Sequence, residues 1–130
     1  MDAIVESKGA ILLIQRLHEP FQGCWAFPGG RHDVGETPEA GVLRELREET
    51  CLIGKVQQLV GVYGDPERDP RGHVISIAYA VKVDDFSTLK ASDDAKEARF
   101  FALEEIRSPD FKLAFDHARI LADYLKLTGK

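Results

Sequence analysis

Glu45, Glu48 and Glu49 crowd three carboxylates into five residues of a helix-forming segment. On an α-helix each residue advances about 100°, so Glu45 and Glu49 share a face one turn apart and Glu48 flanks it. Like charges at that spacing repel one another. Arg44 and Arg47 compensate in part. A hard divalent cation would do so more fully, because Mg²⁺ takes oxygen ligands and keeps waters beside one or two carboxylates. Gly41 falls on the carboxylate side and leaves space above Glu45. The competing reading is a solvated face of an amphipathic helix, the commoner fate of a charge run.

The helix that carries these residues is expected over Pro38 to about Thr50. Thr37 suits the N-cap, Pro38 the first helical position, and Glu39 the positive end of the dipole. Val42, Leu43 and Leu46 form its apolar arc. Before it, Ala3–Val5 and Ala10–Gln15 read as two strands joined at Ser7-Lys8-Gly9. The run Ile11–Ile14 is apolar at consecutive positions, as in a strand buried on both faces. A loop over Arg16–Cys24 leads to a short strand, Trp25-Ala26-Phe27, and then to Pro28-Gly29-Gly30. Strands are expected near Gln57–Tyr63, His73–Val83 and Ala98–Ala102, with polar loops at 64–72 and 84–96. A second helix closes the chain, starting at Ser108-Pro109 or nearer Leu113 and stopping at Gly129. The order predicts an α+β fold, an α/β/α sandwich in which a mixed β-sheet lies between two main helices.

Composition narrows the partners. The chain has 130 residues, 17 Lys plus Arg against 22 Asp plus Glu, and a net charge of −5. That length reads as a single domain over residues 1–130. The acidic balance argues against nucleic-acid binding, which needs a cationic surface. An acidic protein that handles phosphates needs a cation to mediate the contact. No apolar run approaches the ~20 residues of a membrane helix, and the first ten residues lack the basic start of a signal peptide. Cys24 and Cys51 form neither a CxxC pair nor a disulfide framework. A cytoplasmic protein is expected.

The wider spacing decides between the two readings of the carboxylate helix. Gly30, Glu36, Arg44, Glu45, Leu46, Glu48, Glu49 and Leu52 stand at the intervals of the Nudix box. The sequence therefore resembles the Nudix hydrolase family over a 23-residue pattern, Gly30 to Leu52. Trp25-Ala-Phe-Pro-Gly-Gly30 is similar to the approach to that box. One position departs: Cys51 stands where the family has the glycine that ends the helix. This leaves the local turn in question and not the carboxylates.

The resemblance implies hydrolysis of a nucleoside diphosphate linked to another moiety, with Mg²⁺ or Mn²⁺. It implies Glu45 and Glu49 as the principal metal ligands, Glu48 as a third or water-mediated ligand, and a backbone carbonyl at Gly29 or Gly30. Arg44 would orient the glutamates and Glu36 would brace the loop. The general base stays open between Glu48, Glu45 and an acid of a later loop, Asp93, Asp94 or Glu97. The outer segments His18–Trp25, Asp65–His73 with Ser76, Asp93-Asp94-Ala95 and Leu113–His117 are similar to the ADP-ribose pyrophosphatase branch. That branch implies ADP-ribose cleaved to AMP and ribose 5-phosphate, and commonly a homodimer. Arg71, Arg68 and Arg16 offer donors to phosphate or ribose oxygens. Each has a competing reading as a surface ion pair, with Asp65, Glu67 and Asp69 at hand. His32, His73 and His117 read as structural, Trp25 as packing under the glycines, and Phe27 and Tyr79 as core. Two alternatives remain. One is a house-cleaning hydrolase of an oxidised nucleoside triphosphate, NADH or a dinucleoside polyphosphate. The other is a domain that senses ADP-ribose without cleaving it. A P-loop is excluded, since no Gly-Lys-Ser/Thr follows the glycines.

Overall fold

A computed structural model describes residues 1–91 and 95–130. The strands are β1 (Asp2–Ile4), β2 (Glu6–Ser7), β3 (Ala10–Arg16), β4 (Trp25–Ala26), β5 (Gly54–Tyr63), β6 (Ser76–Val83) and β7 (Ala95–Ala102). The helices are α1 (Pro38–Thr50), α2 (Leu103–Ile106) and α3 (His117–Thr128). Among the described residues no helix is long and apolar enough to cross a membrane.

The α+β class is as expected, but the sheet is divided. One sheet has the order β1-β6-β5, with β1 parallel and β5 antiparallel to β6; the other joins β2, β3 and β4, with β7 antiparallel to β3. The N-terminal strand is shared between them. Glu6-Ser7, rather than Ala3–Val5, closes the hairpin against Ala10-Ile11. Asp2–Ile4 crosses to lie parallel to Ala78–Ala80. Its other edge meets the glycine-rich turn: Ala3 N–H donates to the Pro28 carbonyl (2.8 Å) and Gly30 N–H to the Met1 carbonyl (3.0 Å). Pairing on both edges satisfies its backbone groups, which a hairpin with β3 alone would not do.

Alternation along β3 fills two cores. Ile11 and Leu13 pack with Phe27, Ile120, Leu121 and Tyr124 on the α3 side. Leu12 packs with Val42, Leu46 and Leu52 on the α1 side. The consecutive apolar run at Ile11–Ile14 is thus buried on both faces.

Helix α1 starts and ends where its caps dictate. Thr37 Oγ1 accepts from Ala40 N–H at 3.1 Å, and Pro38 opens the helix. Cys51 adopts the left-handed conformation of the missing glycine, φ 63° and ψ 19°, and its N–H donates to the Arg47 carbonyl. The final helix starts later than either expected position. Residues 112–114 run beside β4, where Trp25 N–H donates to the Lys112 carbonyl and Ala114 N–H to the Trp25 carbonyl, both at 2.8 Å. Those backbone groups are committed outside the helix, so α3 begins at His117. The short helix α2 was not expected from the pattern.

Candidate active site

The glycine turn lies close against both the N-terminal strand and the Glu45 side chain of α1. A Cβ on Gly30 would lie 2.6 Å from the Glu45 carboxyl carbon, and one on Gly29 would strike the Met1 carbonyl oxygen. Gly29 N–H donates to Glu49 Oε1 at 2.7 Å. Gly30 turns its carbonyl to the Met1 α-amino group, also at 2.7 Å. The turn therefore brings Glu45, Glu49 and the Gly30 carbonyl together, all hard oxygen donors.

Arg44 organises the outer side of this face. Its guanidinium donates to both Glu36 oxygens (2.9 and 3.1 Å), to Glu45 Oε1 (2.9 Å), to Glu48 (3.0 Å) and to the Arg31 carbonyl (2.9 Å). This pins the 31–36 loop to the helix and turns Glu48 outward, where half of its side chain is exposed. Hydrogen bonds from Arg44 hold the Glu36 carboxyl below its ordinary pKa. Burial pushes the Glu45 carboxyl up, against the opposing pull of Arg44.

The chemistry of the donor set fits a hard divalent cation. Two carboxylates on one helix face with a backbone carbonyl match a metal that keeps several waters. They do not match an all-protein cage: among the described residues no group of three or more His, Cys, Asp or Glu is placed to hold a metal. Glu45 and Glu48 both accept from the same Arg44 nitrogen, at 2.9 and 3.0 Å.

A cavity of about 660 Å³ is lined by Gly29, Gly30 and Glu49 and also by Arg16, Arg68, Arg71 and Phe115. The three arginines differ in their commitments. Arg68 forks onto Asp116 (2.7 and 2.9 Å), and its side chain is only 4% exposed. It secures the 64–72 loop to the start of α3, and its donors are largely spent there. Arg71 pairs with buried Asp69 at 2.8 Å yet remains half-exposed. Arg16 donates its Nε to the Pro20 carbonyl at 2.6 Å. Burial and the neighbouring Arg71 both lower the Arg16 pKa.

Other expected residues fall as follows. Glu97 is exposed on β7 and is absent from the cavity lining; Asp93 and Asp94 lie outside the described residues. His73 and His32 line the cavity, and His73 Nε2 pairs with the Gly64 carbonyl at 2.8 Å. Trp25 packs against Phe101, Phe111 and Arg99. His117 is buried: its Nδ1 accepts from Phe27 N–H (3.1 Å), and its Nε2 lies 3.5 Å from Asp2 Oδ1. Asp2 in turn accepts from the Ser76 hydroxyl. Phe115 was not singled out from sequence as a site residue. Its position two before a buried helix-start histidine carries no chemical signature of its own.

Known proteins agree with this architecture. The NUDIX domain model matches residues 3–124. An ADP-ribose pyrophosphatase of Methanocaldococcus jannaschii is 53% identical over 126 residues, covering 97% of this chain and 72% of that protein. The NUDIX domain of Shewanella oneidensis NrtR, solved with ADP ribose, superposes with a TM-score of 0.85 at 25% identity, covering 98% of this chain and 85% of that one. A bifunctional NMN adenylyltransferase/ADP ribose pyrophosphatase of Francisella tularensis, solved with AMP and a manganese ion, gives 0.82 at 29% identity. It covers 97% of this chain, which spans 40% of that longer one. With the NUDIX model matching residues 3–124 and a 53% identical relative over nearly the whole chain, the chain belongs to the Nudix family.

Proposed function

We propose that this Nudix protein hydrolyses the diphosphate of ADP-ribose, releasing AMP and ribose 5-phosphate. One observation carries the reading: a single cavity is lined by Glu49 of the α1 carboxylate face, by the glycine turn, and by Arg16 and Arg71. Its volume, about 660 Å³, suits a ligand of nucleotide size. The name of the M. jannaschii relative and the ADP ribose in the S. oneidensis neighbour support the choice of substrate.

Glu45, Glu49 and the Gly30 carbonyl would hold Mg²⁺, with Mn²⁺ as a substitute. When bound, such a cation neutralises diphosphate charge and lowers the pKa of a coordinated water. The chain's residues do the rest. Arg44 orients Glu45 and draws Glu48 aside. Arg71 and Arg16 grip the diphosphate oxygens, and Arg68 holds the loop that presents Arg71. Glu45 or Glu48 is the candidate within α1 to accept the proton of the attacking water. Attack at one phosphorus breaks the anhydride bond, and the other phosphate leaves.

The test is a panel of ADP-ribose, NADH, dinucleoside polyphosphates and nucleoside triphosphates with Mg²⁺, the products separated by chromatography. AMP and ribose 5-phosphate from ADP-ribose, with little triphosphate turnover, are expected. Preferred triphosphate cleavage would assign a house-cleaning role. ADP-ribose binding without turnover under Mg²⁺ or Mn²⁺ would assign a sensor.

A further inference from the structure

Phe115 holds a backbone conformation that bulky residues rarely adopt. Its φ is 51°, in the left-handed region, although an aromatic side chain gains nothing there. Such strain persists where the surroundings over-determine it. The surroundings here are specific. Arg16 stands with its guanidinium carbon 4.9 Å from the Phe115 ring centroid, and Arg71 stands at 5.6 Å. The two arginines come from separate parts of the chain, the end of β3 and the 64–72 loop, and meet only at this ring.

Two guanidiniums so placed repel each other, and Arg71 lowers the Arg16 pKa accordingly, after burial itself. One carboxylate, Asp69, is within ion-pair distance of Arg71. The Asp69 and Glu49 charges favour the charged form of Arg16 and oppose that repulsion only in part. The negative face of an aromatic ring attracts both cations and offsets part of their repulsion. The ring is itself fixed: Phe21 packs against it at 4.8 Å and the His117 ring at 5.6 Å. The partly buried ring still lines the cavity between these neighbours.

We propose that Phe115 is a positioning residue that holds Arg16 and Arg71 together as a preassembled clamp for the diphosphate group. The proposal rests on the hydrolytic reading above for its ligand. Its consequence is that the ring acts on diphosphate affinity and hardly at all on the bond-breaking step.

The experiment measures inorganic pyrophosphate binding by calorimetry, together with kcat and KM for ADP-ribose, in wild type, F115L, F115Y and R16K. For F115L, the pyrophosphate Kd and the KM are expected to rise about tenfold, with kcat changed by less than about threefold. F115Y keeps the ring and is expected to restore both constants. R16K keeps the charge but loses the stacked plane, and is expected to weaken pyrophosphate binding like F115L. Should F115L fail to fold, F115M conserves the volume and carries the same expectation. Unchanged pyrophosphate affinity in a folded ring-deleted variant, or in R16K, overturns the proposal. So does a rise in KM without a loss of pyrophosphate binding, which would instead mean contact with the nucleoside. A wild type that binds pyrophosphate in a Phe115-dependent way but does not cleave ADP-ribose would sink the hydrolytic reading and leave the clamp standing.

Discussion

Glu49 occupies an unusual position for a helical carboxylate. It accepts a backbone N–H from Gly29 at 2.7 Å while facing the cavity. Glu49→Gln preserves the volume and one acceptor but removes the charge. We expect kcat to fall by about a hundredfold or more with the melting temperature nearly unchanged. Circular dichroism and steady-state rates would check this, and near-normal turnover would refute the ligand role. Cys51 makes the opposite kind of prediction, about stability alone. Its φ of 63° costs an L-residue energy that glycine does not pay. Cys51→Gly should stabilise the fold by about 1 kcal/mol, less the greater chain entropy of the unfolded glycine. A higher urea midpoint at constant m would show it. The Thr88 hydroxyl donates to the Cys51 carbonyl at 2.7 Å, and that bond survives the substitution.

At the scale of elements, α1 and the loop before it form one charged unit through Arg44. Removing the guanidinium leaves Glu36, Glu45 and Glu48 without their common partner and frees the Arg31 carbonyl. Arg44→Met should raise the Mg²⁺ concentration needed for half-maximal activity and lower kcat by about tenfold or more. A magnesium titration of the rate would reveal both effects, and an unchanged titration would show that Arg44 serves stability only. The cap, first turn and apolar arc of this helix were all legible in the sequence, because capping and i, i+4 spacing are local properties. The β1 partner was not. Asp2–Ile4 is as apolar at its centre as any hairpin strand, and its choice of β6 depends on the edge that β6 offers 76 residues later. The start of α3 was missed for a related reason: β4 takes the backbone bonds of residues 112–114.

Across the whole molecule, His117 ties distant segments together. It receives the Phe27 N–H from 90 residues away, stacks on the Phe27 ring at 5.0 Å, and faces Asp2. Burial depresses its pKa below the ordinary 6.5, although Asp2 and Asp116 pull the other way. The unfolded chain therefore takes up a proton near pH 6.5 that the folded state resists. The stability contributed by the neutral ring is present above that pH and is lost as pH falls below it. The urea midpoint of the wild type should drop between pH 7.5 and 5.5 by more than that of His117→Gln, with both read against the same buffers. Equal drops would mean that His117 does not couple protonation to folding.

The sequence by itself determined the family, the carboxylate helix and the oxygen-rich character of the proposed metal site. These follow from residue types at fixed spacings on one continuous element, where the helical period converts position into direction. Only the tertiary structure decided how the arginines are used. Arg68 had as many acidic neighbours in sequence as Arg71, yet it forks onto Asp116, 48 residues away, while Arg71 keeps an open side toward the cavity. Glu48, expected on the flank of the Glu45–Glu49 face, shares the Arg44 guanidinium with Glu45. Phe115 acquires its place only when β3, the 64–72 loop and the approach to α3 converge. Ion pairing and ring contact are choices among partners brought close by folding, and no periodicity in the chain encodes which partner arrives first.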